Sequence, residues 1–162
     1  EMCIRDSSKG LTGGFLPLAL TLTRNDVYDA FLAEESNKAF LHGHSYTANP
    51  IACSAALASL ELLTSESCTR SIADISAHHK EFCQELKKYP EKVEKPRFLG
   101  TMAAFNLKAD ADSILSMQQK LLQKGLLLRP LGNSFYILPP YCITSQEMRS
   151  TYQSIEEQIS QL

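Results

Sequence analysis

A lysine stands among small residues near the start of the sequence, in the segment SKGLTGG (8–14). Small neighbours leave the backbone uncrowded, so a bulky group can approach the amine of Lys9 closely. This pattern is compatible with a ligand-binding loop, although a lysine beside glycines is more often a solvated surface residue. The phosphate-binding pattern GxxxxGK[ST] is not met, so the segment does not predict that kind of nucleotide site.

Two further segments combine polar groups with rigid backbone. HGHSYTANP (42–50) places hydroxyls and backbone amides directly before a helix that would begin at Pro50, and helix N-termini attract anions. RPLGNSFYILPPY (129–141) holds Arg129 beside rigid turns, where a guanidinium can bind a carboxylate through two hydrogen bonds. Taken alone, Ser45 could equally stabilise a turn and Arg129 could form a surface ion pair. The combination of lysine, hydroxyl loop and arginine along one chain favours a functional interpretation.

These segments must be positioned by the strands and helices that the sequence pattern predicts. The predicted strands are 15–23, 98–107, 126–129 and 134–138. The predicted helices are 24–35, 51–63, 67–88, 112–124 and 144–161. Asn25 and Asp26 are available as caps for the first helix, and Asn49 caps the second. Gly125 ends the fourth helix, and Thr144 and Glu147 form a capping box at the start of the fifth. The long helix places one apolar stripe on a single face: Ile72, Ile75, His79, Phe82, Cys83 and Leu86.

A shift to more polar composition after Ser65 predicts a domain boundary. We expect residues 66–162 to form a self-contained α+β domain and residues 1–65 to belong to another domain. Residues 1–7 lack the basic start and apolar stretch of a signal peptide, and we interpret them as an atypical leader without structural value. Because SKGLTGG follows before any element that could hold such a loop, we expect the chain to be a fragment.

Composition and charge argue against several classes of protein. The 162 residues carry 16 Lys+Arg against 18 Asp+Glu, which leaves no basic surface of the kind that nucleic acids or anionic membranes attract. The uncharged stretch 39–60 contains His42, His44 and Pro50 and therefore does not predict a membrane helix. Both histidines lack nearby acidic or thiol partners, so we expect no metal site. Five widely spaced cysteines without a CxxC pair favour a reducing cytoplasm over a disulfide framework: Cys3, Cys53, Cys68, Cys83 and Cys142.

At its three polar segments the chain resembles the class III, pyridoxal-phosphate-dependent aminotransferases of fold type I. The resemblance begins at about Ser8 and continues to the C-terminus. It implies an α/β fold of type I, in which residues 1–65 are the C-terminal part of the large cofactor-binding domain and residues 66–162 are the small C-terminal α+β domain. Family members that act on ornithine or 4-aminobutyrate commonly have a further glycine where this sequence has Thr12, so this departure argues against those members.

The resemblance also implies a role for five residues. Lys9 would form the Schiff base with pyridoxal 5'-phosphate and carry protons during amino transfer. Ser45 would hold the cofactor phosphate of the neighbouring subunit in a homodimer, and Gly43 would let the substrate lie close to the backbone. Arg129 would bind a substrate carboxylate, with Tyr136 close to that pocket.

Three functions stay open on the sequence alone. The chain could belong to a family member that binds a substrate carboxylate through Arg129. It could also belong to a related enzyme that uses an ω-amine donor or moves an amine within one molecule. It could also be a non-catalytic fragment that binds a partner half through exposed surface. No acidic residue near Lys9 matches the family's partner for the pyridine nitrogen, so we expect the chain alone to be inactive.

Overall fold

The computed structural model describes residues 4–162, which divide into two compact units. The first unit ends at Ser65 and the second spans Glu66–Leu162. Both units combine helices with strands, which agrees with the mixed helix and sheet content of the predicted α/β class, and the antiparallel sheet of the second unit agrees with the predicted α+β domain. The assignment of these units to a large and a small domain stays a prediction, and Cys3 lies outside the described residues.

The first unit contains a two-stranded antiparallel ribbon. Strand β1 (Ile4–Ser7) pairs with strand β2 (Leu20–Thr23). The interpretation of 1–7 as a leader without structural value is therefore wrong for residues 4–7. The strand predicted over 15–23 is also too long, because Pro17 has no backbone N–H to offer a ladder and pairing begins only beyond it.

Helix α1 (Asn25–Asp29) is much shorter than the helix predicted over 24–35. Its N-cap residue is Arg24, which makes no side-chain capping bond, so neither predicted cap precedes the helix. The apolar side chains that should have continued the pattern, Phe31 and Leu32, are exposed. A short helix with no surface on which to bury its apolar face is marginal in water, which explains the early end.

Helix α2 (Pro50–Thr64) begins as the sequence predicts. Asn49 is the N-cap, and its Oδ1 accepts hydrogen bonds from the backbone N–H groups of Ile51 at 3.0 Å and Ala52 at 3.4 Å. Pro50 occupies the first helical position, where its missing N–H costs nothing. The helix contacts the turn that contains Lys9, and through this contact it supports the first polar segment.

The second unit contains a three-stranded antiparallel sheet with its strands in chain order. Strand β3 (Val93–Leu99) turns at Gly100 into β4 (Met102–Leu107), which pairs with β5 (Ser134–Ile137). The single strand predicted over 98–107 is therefore wrong. Gly100 has φ +55°, a left-handed conformation that lets the chain reverse between β3 and β4.

Three helices pack with this sheet around one core: α3 (Glu66–Glu85), which ends in a 3-10 turn at Leu86–Lys88, α4 (Ala111–Gln123) and α5 (Ser145–Ser160). All three helices were predicted, and the capping box of Thr144 and Glu147 is confirmed. The apolar stripe predicted for α3 faces the core, with Ile72 at its partly exposed end. The largest apolar side chains that are fully buried are Phe82, Leu86, Phe105, Leu107, Met117, Leu121, Phe135, Met148, Ile155 and Ile159.

The segment 126–129 does not form the strand that was predicted. The Leu126 N–H donates to the Leu121 carbonyl at 2.9 Å and so completes the C-terminal end of α4. Leu126 and Leu128 pack partly buried against the core, and Pro130 has no N–H for a ladder. The apolar pattern in this segment reflects core packing without strand pairing.

A buried polar pair lies within the core of the second unit. His79 is fully buried; its Nε2–H donates to the Thr101 carbonyl at 2.9 Å, and its Nδ1 accepts from the Tyr152 hydroxyl at 2.9 Å. This tautomer follows because a carbonyl oxygen can only accept. Burial lowers the pKa of His79 below its ordinary value and raises the pKa of Tyr152.

Candidate functional site

Lys9 begins a single 3-10 turn that spans Lys9–Thr12. The Gly13 N–H donates to the Gly10 carbonyl at 3.2 Å, and the Gly14 N–H donates to the Lys9 carbonyl at 3.2 Å. Gly13 and Gly14 have φ +62° and +82°, so both require the conformational freedom of glycine. The glycines of SKGLTGG therefore serve to close the turn tightly behind the lysine, whose side chain is exposed.

Thr12 is one of the few buried residues of the first unit, at 4% exposure. Its hydroxyl donates to the Leu16 carbonyl at 2.5 Å and accepts the Leu16 N–H at 3.2 Å, which fixes the chain leaving the turn. Sequence reasoning treated this position only as a departure from the glycine common in the family. The sequence signal for these two hydrogen bonds was a hydroxyl residue between Gly10 and Gly13.

The loop before α2 is held together by its own side chains and backbone. The His44 N–H donates to the Thr47 hydroxyl at 3.1 Å, and the Tyr46 N–H donates to His44 Nδ1 at 3.1 Å. Ala48 has φ +55°, which turns the chain into the Asn49 cap. His44 is thus engaged within the loop, and no group of three metal-ligating side chains comes together anywhere in residues 4–162.

A cleft of about 770 Å³ brings the first two polar segments together. Its wall includes Lys9 from the glycine turn and His44, Tyr46, Thr47 and Ala48 from the loop before α2. The remaining wall is formed by residues 8, 14 and 16–19 and is largely apolar. Lys9 therefore lines a space of the size that small-molecule ligands occupy.

Lys9 and Ser45 have side chains that are free to meet a ligand. Both are exposed, and within residues 4–65 neither side chain forms a hydrogen bond or ion pair. Ser45 and Gly43 belong to the loop, although neither forms part of the cleft wall. A Cβ at Gly43 would meet Thr47 Oγ1 at an ordinary 3.8 Å, so packing within this unit does not require glycine there.

Arg129 and Tyr136 lie on opposite sides of a tight turn in the second unit. Leu131 and Ser134 exchange two backbone hydrogen bonds, of 2.8 and 3.0 Å, across the two-residue turn Gly132–Asn133. Arg129 precedes this isolated bridge by two residues and Tyr136 follows it by two. Arg129 is exposed and its guanidinium has no hydrogen-bond or ion-pair partner within residues 66–162.

Tyr136 points away from the core of the second unit. Its neighbours Phe135 and Ile137 are buried, and alternation along β5 therefore places Tyr136 on the opposite face of the sheet. Tyr136 is half-buried and pairs in register with Ala104 of β4. The tyrosine thus lies on the sheet face away from the core, and the exposed arginine lies on the other side of the same turn.

Comparison with known proteins extends these observations. The aminotransferase class-III family matches residues 3–159. An adenosylmethionine-8-amino-7-oxononanoate aminotransferase from Synechococcus elongatus is 44% identical over 96% of this chain. The match covers 37% of that relative, so the chain spans little more than a third of its length.

Solved structures show the same likeness. The enzyme of that name from Methanocaldococcus jannaschii superposes with a TM-score of 0.80 at 37% identity, over 98% of this chain and 39% of that one. A PLP-bound amine transaminase from an uncultivated Pseudomonas species superposes with a TM-score of 0.85 at 28% identity, over 98% of this chain and 38% of the other. No helix within residues 4–162 is long and apolar enough to cross a membrane.

Proposed function

Because the chain belongs to the class III aminotransferase family, we propose that it is the C-terminal part of an enzyme that moves an amino group from S-adenosylmethionine to 8-amino-7-oxononanoate. The product would be 7,8-diaminononanoate, a step of biotin synthesis. The observation that carries the proposal is the cleft in which Lys9 meets the loop before α2. The 44% identity to a relative of that name supports the choice of substrates.

The cleft fits pyridoxal 5'-phosphate as the cofactor. Its volume suits a small ring bearing a phosphate, and no carboxylate in residues 4–65 competes for the Lys9 ammonium. When bound, this cofactor supplies an electron sink for the carbon that loses its proton. Lys9 would hold the cofactor covalently through Nζ. As a free amine, the same Nζ can accept a proton and return it at a neighbouring carbon.

Ser45 is proposed to hold the phosphate of a cofactor bound in the neighbouring subunit of a homodimer. Its exposed hydroxyl without a partner in residues 4–65 supports this role, since the group is available to a ligand from outside the unit. Its absence from the cleft wall around Lys9 also favours a role toward another subunit. Gly43, two residues earlier, would leave room for the substrate beside the backbone.

Arg129 is proposed to bind the carboxylate of 8-amino-7-oxononanoate, with Tyr136 beside it. The planar guanidinium can donate two parallel hydrogen bonds to a carboxylate, and it has no partner within its own unit that would have to be displaced. The thiols of Cys53, Cys83 and Cys142, which form no disulfide among the described residues, support a cytoplasmic enzyme.

The proposal is tested with the full-length enzyme, the longer protein of which residues 4–162 would be the C-terminal part. Diaminononanoate formation is measured with S-adenosylmethionine and, in parallel, with a panel of ω-amines and amino acids as donors. We expect turnover with 8-amino-7-oxononanoate as acceptor. Turnover confined to other acceptors, or migration of an amine within one molecule, would assign the chain to a different class III enzyme.

A further inference from the structure

Arg97 ties together all three strands of the second unit. One terminal nitrogen of its guanidinium donates to the Lys95 carbonyl at 2.8 Å and to Asn106 Oδ1 at 3.1 Å. The other donates to Ser134 Oγ at 3.2 Å. These acceptors belong to β3, β4 and β5 in turn, so one side chain spans the width of the sheet.

The bonds of Arg97 compensate for an irregularity in β3. The register shifts between Glu94 and Arg97, Lys95 has φ +51°, and Pro96 has no N–H. The Lys95 carbonyl receives one hydrogen bond from the Arg97 side chain, which stabilises this bulge. A planar guanidinium holds several acceptors in a fixed geometry, whereas a lysine ammonium could not make the same set of bonds.

The bond to Ser134 connects Arg97 to the hairpin of the candidate site. Ser134 begins β5 and also closes the turn with Leu131; Arg129 lies two residues before this bridge and Tyr136 two residues after it. A displacement of Ser134 would therefore shift both of these side chains. Arg97 and Tyr136 also occupy one row of the sheet, since each pairs with Ala104 from its own side.

We propose that Arg97 is a positioning residue, which fixes Ser134 and thereby the hairpin that presents Arg129 and Tyr136 to the carboxylate of the acceptor. This inference rests on the proposed function. It assigns Arg97 to acceptor recognition and gives it no part in the amine chemistry of Lys9.

The structural half of the proposal is tested by amide hydrogen exchange on the 162-residue chain. We expect Arg97→Gln to speed the exchange of the Leu131 and Ser134 amides by about tenfold, because the turn loses its side-chain support. Ser134→Ala removes the same bond from the other side, and its Leu131 amide should also exchange faster. The matched control is Arg149→Gln, at an exposed arginine of α5. Unchanged exchange in Arg97→Gln would overturn the proposal.

The functional half is tested by steady-state kinetics of the full-length enzyme. Arg97→Gln should raise the KM for 8-amino-7-oxononanoate by roughly tenfold while kcat and the KM for S-adenosylmethionine stay within about twofold. Arg97→Lys keeps the charge without the planar fork, and we expect it to restore less than half of the loss. Equal losses for acceptor and donor would make Arg97 merely structural and overturn its positioning role.

These outcomes separate this inference from the proposed function. If the unmodified full-length enzyme forms no diaminononanoate, the proposed function fails and the acceptor-positioning role of Arg97 fails with it. The exchange experiment still decides whether Arg97 holds the hairpin. If the enzyme is active and Arg97→Gln changes no kinetic constant, only the positioning role is lost.

Discussion

The two units of the chain differ in how many of their apolar side chains are buried. In the second unit, buried apolar residues between Ile75 and Ile159 form one core, and about a dozen of their side chains are nearly inaccessible to solvent. Among residues 4–65, the structure buries Thr12 and Ala52, while Leu41, Leu57 and Leu62 are 90%, 68% and 71% exposed. The first unit therefore depends on local hydrogen bonds, such as those of Thr12 and Asn49, for the shape of its cleft.

The candidate reactive amine and the well-packed core therefore lie in different units of the chain. The first unit carries the amine and has almost no core, whereas the second unit carries the free arginine on a well-packed scaffold. Large exposed apolar surface marks a place where another protein surface packs. We therefore expect the lysine site to depend on surfaces outside this chain and the arginine site to keep its shape without them.

The largest effect is expected from Lys9→Ala in the full-length enzyme, where turnover should fall below detection. No other amine lines the cleft of the described first unit, so none can take over the covalent attachment of the cofactor. The measurement is diaminononanoate formation, together with attachment of the cofactor to the protein by borohydride. Lys38→Ala is the matched control, since Lys38 is exposed and ion-paired with Glu35. Persistent attachment in Lys9→Ala would remove Lys9 from its role.

A pair of core and surface truncations sharpens the contrast in packing. Phe105→Ala should lower the free energy of unfolding of the second unit by about 3–5 kcal/mol, because Phe105 is fully inaccessible and stacks on Phe135. Leu57→Ala, in the first unit, should change the unfolding free energy by less than about 0.5 kcal/mol. Chemical denaturation of the 162-residue chain followed by circular dichroism measures both. Similar losses for the two variants would contradict the proposed difference.

Arg129→Ala should weaken binding of the acceptor by roughly 2–4 kcal/mol, because the substrate carboxylate loses a charge-assisted, bidentate partner. Binding of S-adenosylmethionine should change far less. Kinetics of the two half-reactions in the full-length enzyme separate these effects, and Arg149→Ala provides an exposed-arginine control. Equal losses of binding free energy for donor and acceptor would show that Arg129 supports the structure and does not bind the substrate carboxylate.

A smaller effect is expected from pH in the second unit. Burial lowers the pKa of His79 below 6.5, so the unfolded chain binds a proton that the folded chain does not. Stability should be full above about pH 6.5 and fall as the pH drops below it. Unfolding free energies at pH 7.5 and 5.5 should differ less in His79→Gln than in the unmodified chain. An equal difference in His79→Gln and in the unmodified chain would contradict this expectation.

Sequence patterns predicted the second unit better than the first for a physical reason. Helices α3, α4 and α5 have apolar stripes with a core to bury them, so periodicity and capping residues indicated their limits well. The helix predicted over 24–35 has the same kind of pattern without a burying surface in its unit, and only five residues form it. The pattern carries no information about whether a partner surface exists.

The candidate site was also predicted unevenly. The cap at Asn49 was predicted from local chemistry and the segment around Lys9 only as a loop, and the structure brings both segments to one cleft. The reversal at Gly100 was missed because apolar residues continue on both sides of it. The side-chain bonds of Thr12 and Arg97 depend on backbone positions several residues away or on other strands, which spacing along the chain does not reveal.

The most direct measurement is turnover by the 162-residue chain alone and after addition of the separately produced upstream part of the full-length enzyme. Both mixtures contain pyridoxal 5'-phosphate, S-adenosylmethionine and 8-amino-7-oxononanoate, and diaminononanoate is quantified. We expect no product from the chain alone, since the exposed apolar surface of the first unit lacks its packing partner. Product should appear when the upstream part is added. Turnover by the chain alone, or none from the combined parts and none from the full-length enzyme, would contradict the assignment.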